Sequence, residues 1–365
     1  MLHEEPTKKR EQISTKNNCN QQFRKGTEGG YDMFTRKNTL KEIMTDPRIA
    51  PYADRFIVGL NLKQAPFYGS TIEEISRQRI FHGYSLLNGF NRLLEAAEEG
   101  DFTYPLYTEE EIKADPRKEE AYFMYFPSMD PDADEKPFLV CVPGGGNTQI
   151  WNISEGFPIA NHYNQLGYHV VVLNYRVGGK KLYPAPLADM AQLLRYIEAH
   201  KAELHLNAGH YFIAGFSAGG YLVDSWCTDN HGYPAYGLPA PIINISVYGF
   251  VSWRGVRTGH DVGGWGMTTH GLSLEEAAES DWNVEDHISS FPPTYILHGD
   301  NDHACDFINS RILADALQNA GIPYEFEIGH GMDHGFGEAL FSELRGWIER
   351  SVAFVNKIER VAERK

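Results

Sequence analysis

The sequence predicts an α/β fold in which a mostly parallel, doubly wound sheet is flanked by helices, preceded by an N-terminal helical extension. After about residue 120, short apolar runs alternate with amphipathic segments of ten residues or more. The apolar runs are continuous for the most part, as expected of strands buried on both faces of a parallel sheet. In such sheets functional groups gather at the carboxyl ends of the strands, so we expect the site at that edge.

Six apolar runs are predicted strands. They lie at 137–142, 169–175, 211–216, 241–250, 294–299 and 324–329. Between them, the segment at 185–200 carries Leu187, Met190, Leu194 and Ile197 on one helical face, and the segment at 310–321 ends in a glycine, as helices often do. Strand and helix therefore alternate along the second part of the chain.

The first third of the chain differs from the rest in pattern. Residues 1–30 are rich in Lys, Glu, Asn and Gln and predict a disordered tail. Residues 31–120 predict a helical extension or lid, because the following apolar residues recur near the helical period: Ile75, Ile80, Leu86, Leu87 and Leu93. Residues 121–365 then form the predicted catalytic domain, and a length of 365 residues needs no second core.

Charge and cysteine usage narrow the function classes. The chain has 33 Lys and Arg against 49 Asp and Glu, a formal net charge of −16 that repels phosphate backbones and anionic lipid heads. We expect no nucleic-acid or membrane partner. The four cysteines (Cys19, Cys141, Cys227 and Cys305) are widely spaced, which argues against a zinc site or a disulfide framework. Because the sequence shows no apolar leader and no run long enough to span a membrane, we expect a cytoplasmic protein. The sequence leaves open whether the protein forms a homo-oligomer.

The stretch "FIAGFSAGGYLVDSW" at 212–226 contains the pattern G-x-S-x-G around Ser217. The serine stands between a predicted strand and a predicted helix. A nucleophile on such a turn needs small neighbours, because its backbone is strained and the strand and helix come close together. The alternative is a glycine-rich corner with an idle serine, since the pattern alone often occurs by chance.

A second glycine cluster, "VCVPGGGN" at 140–147, directly follows the first predicted core strand. Together with Ala218, the residue after the serine, the N–H groups of Gly145 and Gly146 are candidates for holding a developing oxyanion. The rival is a phosphate-binding loop. It is excluded because no G-K-[ST] follows and position 149 is Gln where G-x-G-x-x-G needs Gly.

A serine nucleophile also needs a base and an orienting acid. The last two predicted strands run into "DNDHACD" at 300–306 and "HGMDHGFG" at 330–337, in the chain order Ser, Asp, His. The residues alone do not decide which aspartate is the acid, Asp300, Asp302 or Asp306. They also do not decide whether His330 or His334 is the base.

The histidines and aspartates of the same loops offer a metal site as an alternative. An EF-hand is excluded because Cys305 and Arg311 stand where it needs Gly and Glu. No H-E-x-x-H helix accompanies the loop histidines, so we expect no catalytic metal.

The ordered motifs resemble the α/β-hydrolase superfamily, specifically its carboxylesterase and acetyl-esterase branch near the hormone-sensitive-lipase group, over roughly residues 120–355. The family's H-G-G-G corresponds to Pro143–Gly146, its nucleophile turn to 215–219, its H-G-x-x-D to 298–302 and its H-G-F to 334–336. The resemblance implies that Asp302 is the acid and His334 the base, and that no cofactor is needed. The chain departs from the family at Pro143, where the family has His.

These features predict a serine hydrolase of carboxylic esters, with short acyl groups such as acetyl and a small-molecule substrate. In the insert between serine and acid, Trp253, Trp265 and Met267 are candidate substrate contacts, although they could equally anchor the loop to the core. Two alternatives remain. One is a serine peptidase of the prolyl-oligopeptidase type, which would need a propeller that about 120 residues cannot supply; the other is a non-catalytic ligand-binding protein with the same fold.

Overall fold

The computed structural model describes residues 32–78, 81–254, 262–362 and 364. The predicted disordered tail at 1–30 and Ile80 lie outside the described residues. The described residues from Phe34 onward form one compact unit.

An eight-stranded sheet of described residues runs through this unit. Its strands are β1 (Thr103–Pro105), β2 (Tyr122–Phe126), β3 (Phe138–Val142), β4 (Val170–Asn174), β5 (Tyr211–Phe216), β6 (Asn244–Val247), β7 (Thr294–Gly299) and β8 (Tyr324–Gly329). Their order is β1-β2-β4-β3-β5-β6-β7-β8. β1 and β2 pair antiparallel, β2 pairs antiparallel with β4, and the six strands from β3 to β8 are parallel.

The six parallel strands are the six that the sequence predicts, so the fold class is confirmed. Every residue of β3, β4, β5 and β7 is buried, which explains why their sequences do not alternate between apolar and polar. β6 is shorter than the predicted 241–250. The sequence prediction missed β1 and β2, which extend the sheet antiparallel at one edge.

The α-helices cover both faces of the sheet. Those of the described residues are α1 (Leu40–Thr45), α2 (Ile72–Arg77), α3 (Gly83–Glu99), α4 (Glu109–Ala114), α5 (Asn152–Glu155), α6 (Phe157–Gln165), α7 (Ala185–Ala199), α8 (Lys201–Leu204), α9 (Ala218–Trp226), α10 (Val262–Thr269), α11 (Leu274–Ala278), α12 (Ile308–Ala320) and α13 (Trp347–Ala362). Short 3-10 helices lie at Ala50–Arg55, Leu62–Gln64, Pro116–Glu120, Ala133–Glu135, Tyr233–Tyr236 and Val284–Asp286.

The N-terminal helices share a hydrophobic core with the sheet. Leu40 of α1 and Phe90 and Leu93 of α3 are fully buried, in the same cluster as Phe212 of β5. The other face of the sheet carries a second cluster with residues of α7, α9 and α12. The described residues between 32 and 120 contain α1 to α4, three 3-10 helices and β1, and they pack on the sheet; their role as an extension or lid stays a prediction.

A buried ion pair joins the end of β4 to the helix that follows it. The backbone N–H of Arg176 donates to Asp189 of α7 at 2.9 Å, and its guanidinium donates to the same carboxylate at 2.8 Å. The hydroxyl of Tyr107 donates to Asp189 at 2.7 Å. Asp189 is fully buried, so its charge depends on these donors.

We expect Asp189→Ala to lower the free energy of unfolding by about 3 to 5 kcal/mol, because it leaves the Arg176 guanidinium buried without its main counterion. Urea unfolding measures this loss. The control is Glu73→Ala, which breaks an exposed pair with Arg77 on α2 and should cost less than about 1 kcal/mol. Equal losses for the two variants would contradict the prediction.

Candidate active site

Ser217 lies on the turn between β5 and α9, at the carboxyl edge of the sheet. Its backbone has φ 54° and ψ −118°, a conformation that residues with a side chain rarely adopt. The Ser217 N–H donates to the carbonyl of Val247 at 3.0 Å, which ties the turn to the end of β6. The strained turn that G-x-S-x-G predicts is present at this position.

The glycines on either side of Ser217 are required by close packing. A Cβ atom at Gly215 would lie 2.2 Å from the carbonyl oxygen of Gly219, and one at Gly219 would lie 2.1 Å from the carbonyl oxygen of Val142. Neither position has room for a methyl group. The strand and helix therefore meet at the distance that the strained turn needs.

Ser217, His334 and Asp302 form one chain of hydrogen bonds. The Oγ atom of Ser217 lies 2.8 Å from Nε2 of His334, and Nδ1 of His334 lies 2.6 Å from Oδ2 of Asp302. An ionised carboxylate only accepts, so Nδ1 carries the proton, and Nε2 is left to accept from the Ser217 hydroxyl. The imidazole thus has the tautomer of a general base.

The Asp302 carboxylate is buried and saturated with donors. Its Oδ1 atom accepts the N–H groups of Ala304 and Cys305 at 2.8 and 2.7 Å. Burial alone would raise the pKa of Asp302, but hydrogen bonds from His298 and His334 outweigh it and hold that pKa well below its usual range. His298 is itself buried, and its ring lies 3.1 Å from Asp302 and 2.7 Å from the Ser310 hydroxyl. Asp302 is therefore held as an anion in a fixed orientation.

The other candidate acids and bases lie elsewhere. His330 pairs with Asp300 at 2.9 Å, and the His330 side chain is 72% exposed. Asp306 accepts the N–H of Ile308 at the start of α12. Of the candidates that the residues alone left open, the structure brings only Asp302 and His334 to Ser217.

The predicted oxyanion donors line a cavity beside Ser217. Gly145, Gly146 and Ala218 all contribute to its wall. Among the hydrogen bonds formed between described residues, none uses the N–H of these three residues, whereas the N–H of Gly144 donates to Glu155. Within the described residues these three N–H groups are therefore available to a ligand in the cavity, and their role as oxyanion donors stays a prediction.

The cavity has a volume of about 550 Å³ and is walled largely by aromatic and small residues. Its lining consists of Phe81, Gly145, Gly146, Trp151, Ser154, Glu155, Ser217, Ala218, Phe250, Trp265, Ala304, Cys305, His334 and Gly335. Several of these lining residues were not predicted from the sequence. Trp151, Ser154 and Glu155 follow the glycine loop by a few residues, so closeness along the chain could have indicated them; Phe81 and Phe250 belong to no motif.

The three predicted substrate contacts have different environments. Trp265 lines the cavity, and its Nε1 atom donates to the carbonyl of Gly146 at 3.1 Å. Neither Trp253 nor Met267 is among the described residues that line the cavity. Trp253 is buried beneath Trp265, with their rings 5.0 Å apart, and Met267 is 48% exposed to solvent. For Trp253 the anchoring interpretation fits, because its ring packs in the core.

Within the described ranges, no group of three or more His, Cys, Asp or Glu side chains could hold a metal ion. Cys141, Cys227 and Cys305 are buried free thiols. None of the described helices is both long and apolar enough to cross a membrane.

Behind the serine turn, Asp224 of α9 is a buried carboxylate. It accepts hydrogen bonds from the Asn244 amide at 2.6 Å and the Ser246 hydroxyl at 2.7 Å, which join α9 to β6. Burial raises the pKa of Asp224 to about 7, in spite of these donors.

The mostly parallel sheet, its strand order and the strained serine turn after β5 are those of the α/β-hydrolase fold. Residues 124–232 match the family model described as BD-FAE. The acetylxylan esterase of Xylanibacter ruminicola is 26% identical over 238 residues, which are 61% of this chain and 48% of that relative. A Mycobacterium tuberculosis protein named "Probable carboxylic ester hydrolase LipM" is 26% identical over 206 residues, 52% of this chain and 47% of the relative.

Among solved structures, the acetyl ester-xyloside bifunctional hydrolase from Caldicellulosiruptor lactoaceticus superposes with a TM-score of 0.58 at 24% identity, covering 70% of this chain and 96% of that one. The chain spans about half the length of the curated relatives it matches. The chain therefore has the α/β-hydrolase fold, and the similar proteins named above carry ester-hydrolase names.

We expect Asp302→Asn to lower kcat by about 10⁴, the scale of the loss when the orienting acid of a serine protease is neutralised in this way. The reason is that an amide can donate to Nδ1 and so favour the wrong imidazole tautomer. Hydrolysis of nitrophenyl acetate measures the effect. The matched control is Asp300→Asn, which changes an acid of the same loop and should alter kcat less than about twofold. A larger loss for Asp300→Asn than for Asp302→Asn would assign the acid to Asp300.

Asp224 gives a prediction of pH dependence. Between its ordinary pKa of 3.8 and the raised value of about 7, the folded state holds a proton that the unfolded state has released. The contribution of Asp224 to stability therefore falls as pH rises through this window, by on the order of 4 kcal/mol, and is constant above it.

Urea unfolding of the wild type and of Asp224→Asn across this window tests the effect. We expect the wild type to lose stability relative to the variant as pH rises, because asparagine does not titrate. Parallel stability curves for the two proteins would show that Asp224 keeps an ordinary pKa.

Proposed function

We propose that this protein is a serine hydrolase that cleaves carboxylic esters through an acyl-enzyme on Ser217. The observation that carries the proposal is the continuous hydrogen-bonded chain from Ser217 through His334 to Asp302, beside a cavity with unused N–H donors. Neighbouring groups of this kind activate a serine hydroxyl, which is a weak nucleophile by itself.

In the proposed reaction, Nε2 of His334 takes the hydroxyl proton as Ser217 attacks the ester carbonyl. Asp302 keeps the imidazole in the required tautomer and stabilises the imidazolium that forms. The oxyanion accepts from the N–H groups of Gly145, Gly146 and Ala218. His334 then protonates the leaving alcohol. In the second half of the reaction His334 takes a proton from water as the water oxygen attacks the acyl carbonyl, and it returns that proton to the Ser217 oxygen as the bond to the acyl group breaks and the carboxylic acid leaves.

We further propose short acyl groups, acetyl above all, on a carbohydrate alcohol. A cavity of about 550 Å³ must hold both halves of the ester, which suits a compact substrate. Trp265 lines the same cavity as Ser217, and its hydrogen bond to the Gly146 carbonyl fixes the ring beside the glycine loop, so this aromatic wall limits the room for the substrate. Two similar proteins carry names that include acetylxylan esterase and acetyl ester-xyloside hydrolase, in agreement with this substrate class.

The peptidase alternative would need a propeller domain in addition to this fold. The described residues before β2 form helices and one strand of three residues, and no propeller.

We expect hydrolysis rates of nitrophenyl esters to fall from the acetyl to the decanoyl ester, because the aromatic walls limit the room for the acyl chain. Acetate release from acetylated xylo-oligosaccharides tests the alcohol side. Rates that rise toward decanoyl would reject the short-acyl proposal.

The matched control is Ser217→Ala, which should abolish both hydrolysis and labelling by a fluorophosphonate probe. Failure of the native protein to label, or equal labelling of Ser217→Ala, would reject the serine hydrolase itself and favour the non-catalytic alternative.

A further inference from the structure

Glu155, the last residue of α5, is a buried carboxylate in the wall of the active-site cavity. Its side chain has two partners, and the residue is only 5% exposed. The Oε2 atom accepts the N–H of Gly144 at 2.7 Å, and the Oε1 atom accepts the hydroxyl of Tyr248 at 2.9 Å. Burial raises the pKa of Glu155, while Gly144, His334 and Tyr248 act in the opposite direction. The reaction outlined above uses neither Glu155 nor Tyr248.

The first of these contacts holds the glycine loop. Gly144 directly precedes the two loop residues that are candidate oxyanion donors, and its carbonyl accepts the N–H of Trp151 at 3.0 Å. A Cβ atom on Gly144 would lie 2.7 Å from the Cβ atom of Ser217, so this backbone packs directly against the nucleophile. Both polar groups of Gly144 are therefore fixed, and a rotation of this residue would move the N–H groups that follow it.

The second contact reaches the loop that carries the base. Tyr248 follows β6 with a φ of 40° and is fully buried. Its ring centroid lies 4.7 Å from that of His334, and its hydroxyl accepts the N–H of Gly337 at 3.4 Å. Through one carboxylate and one phenol, the glycine loop is thus hydrogen-bonded to the loop of His334.

We propose that Glu155 and Tyr248 are positioning residues that hold the glycine loop in register with the His334 loop, so that the N–H groups of Gly145 and Gly146 meet the oxyanion formed at Ser217. The inference rests on the proposed ester hydrolysis. Donors of this kind act only at hydrogen-bonding distance from the developing charge, and a misplacement of about 1 Å can reduce the rate about 10²-fold.

Three variants test the network: Glu155→Leu, Glu155→Gln and Tyr248→Phe. Glu155→Leu removes both hydrogen bonds, and we expect kcat for nitrophenyl acetate to fall by about 10² to 10³ with KM changed less than about threefold. Glu155→Gln should stay within about tenfold of the wild type, since its amide can accept from Gly144 and donate to the Tyr248 oxygen. Tyr248→Phe keeps the ring beside His334, and its kcat should lie between those of Glu155→Leu and Glu155→Gln.

A trifluoromethyl ketone inhibitor provides a readout that loss of stability alone would not move. The Oγ atom of Ser217 adds to the ketone carbon, its proton passes to His334, and the carbonyl electron pair becomes an oxyanion in the same donor site. The inhibition constant should therefore rise in parallel with the loss of kcat across the three variants. Each rate is divided by the folded fraction from thermal unfolding followed by circular dichroism.

The matched control is Asp224→Asn, another buried carboxylate, whose hydrogen bonds go to Asn244 and Ser246 and not to the two loops. Its kcat per folded molecule and its inhibition constant should match the wild type. Should Glu155→Leu fail to fold, Tyr248→Phe decides by the same two measurements.

An active wild type with unchanged constants in the folded variants would overturn the positioning role, as would losses explained by the folded fraction alone. A wild type that neither hydrolyses esters nor labels with fluorophosphonate would instead defeat the proposed function.

Discussion

The backbone of Ser217 is the constraint on which the site depends. A serine at φ 54° and ψ −118° persists only where its surroundings hold it, and here the turn is held by the hydrogen bond to Val247 and by packing that leaves no room for a methyl group at Gly215 or Gly219. The parallel sheet supplies those surroundings, because β3, β5 and β6 end side by side at this edge. The same edge receives the loops after β7 and β8, which carry Asp302 and His334.

Burial decided which parts of the fold could be predicted. Strands covered on both faces must be apolar at every position, so the six parallel strands were recognisable as short apolar runs. β1 has three residues, none of them fully buried, and leaves no such signal. β2 does form an apolar run, but its antiparallel place beside β4 depends on contacts between segments distant in the chain. The sequence pattern therefore predicted the central sheet and missed its antiparallel edge.

The residues of the candidate site also fall into those that the sequence could predict and those that it could not. Motifs of adjacent residues, such as the glycines around Ser217, could be predicted because their geometry is local. The choice of His334 over His330 required the family resemblance, since the residue types around the two are alike. Glu155 and Tyr248 lie 93 positions apart and meet only in the folded chain, so no spacing rule identifies them. The sequence does not distinguish Trp253 from Trp265 as a substrate contact or a loop anchor, because which of two stacked rings faces the cavity depends on tertiary packing.

The N-terminal helices connect the stability of the fold to the shape of the cavity. Phe81 lines the cavity just before α3, and the buried face of that helix, with Leu86, Phe90 and Leu93, packs in the core beside the sheet. The wall that Phe81 forms is thus attached to a helix whose displacement would expose large apolar side chains, at a cost of about 1.5 to 3 kcal/mol for each. Trp265 on the insert and Trp151 beside the glycine loop are also part of the wall, so side chains from several separate segments bound this cavity. If the proposed function holds, substitutions at Phe81, Trp151 or Trp265 would change the space for a substrate while leaving the serine turn and its hydrogen-bonded partners in place.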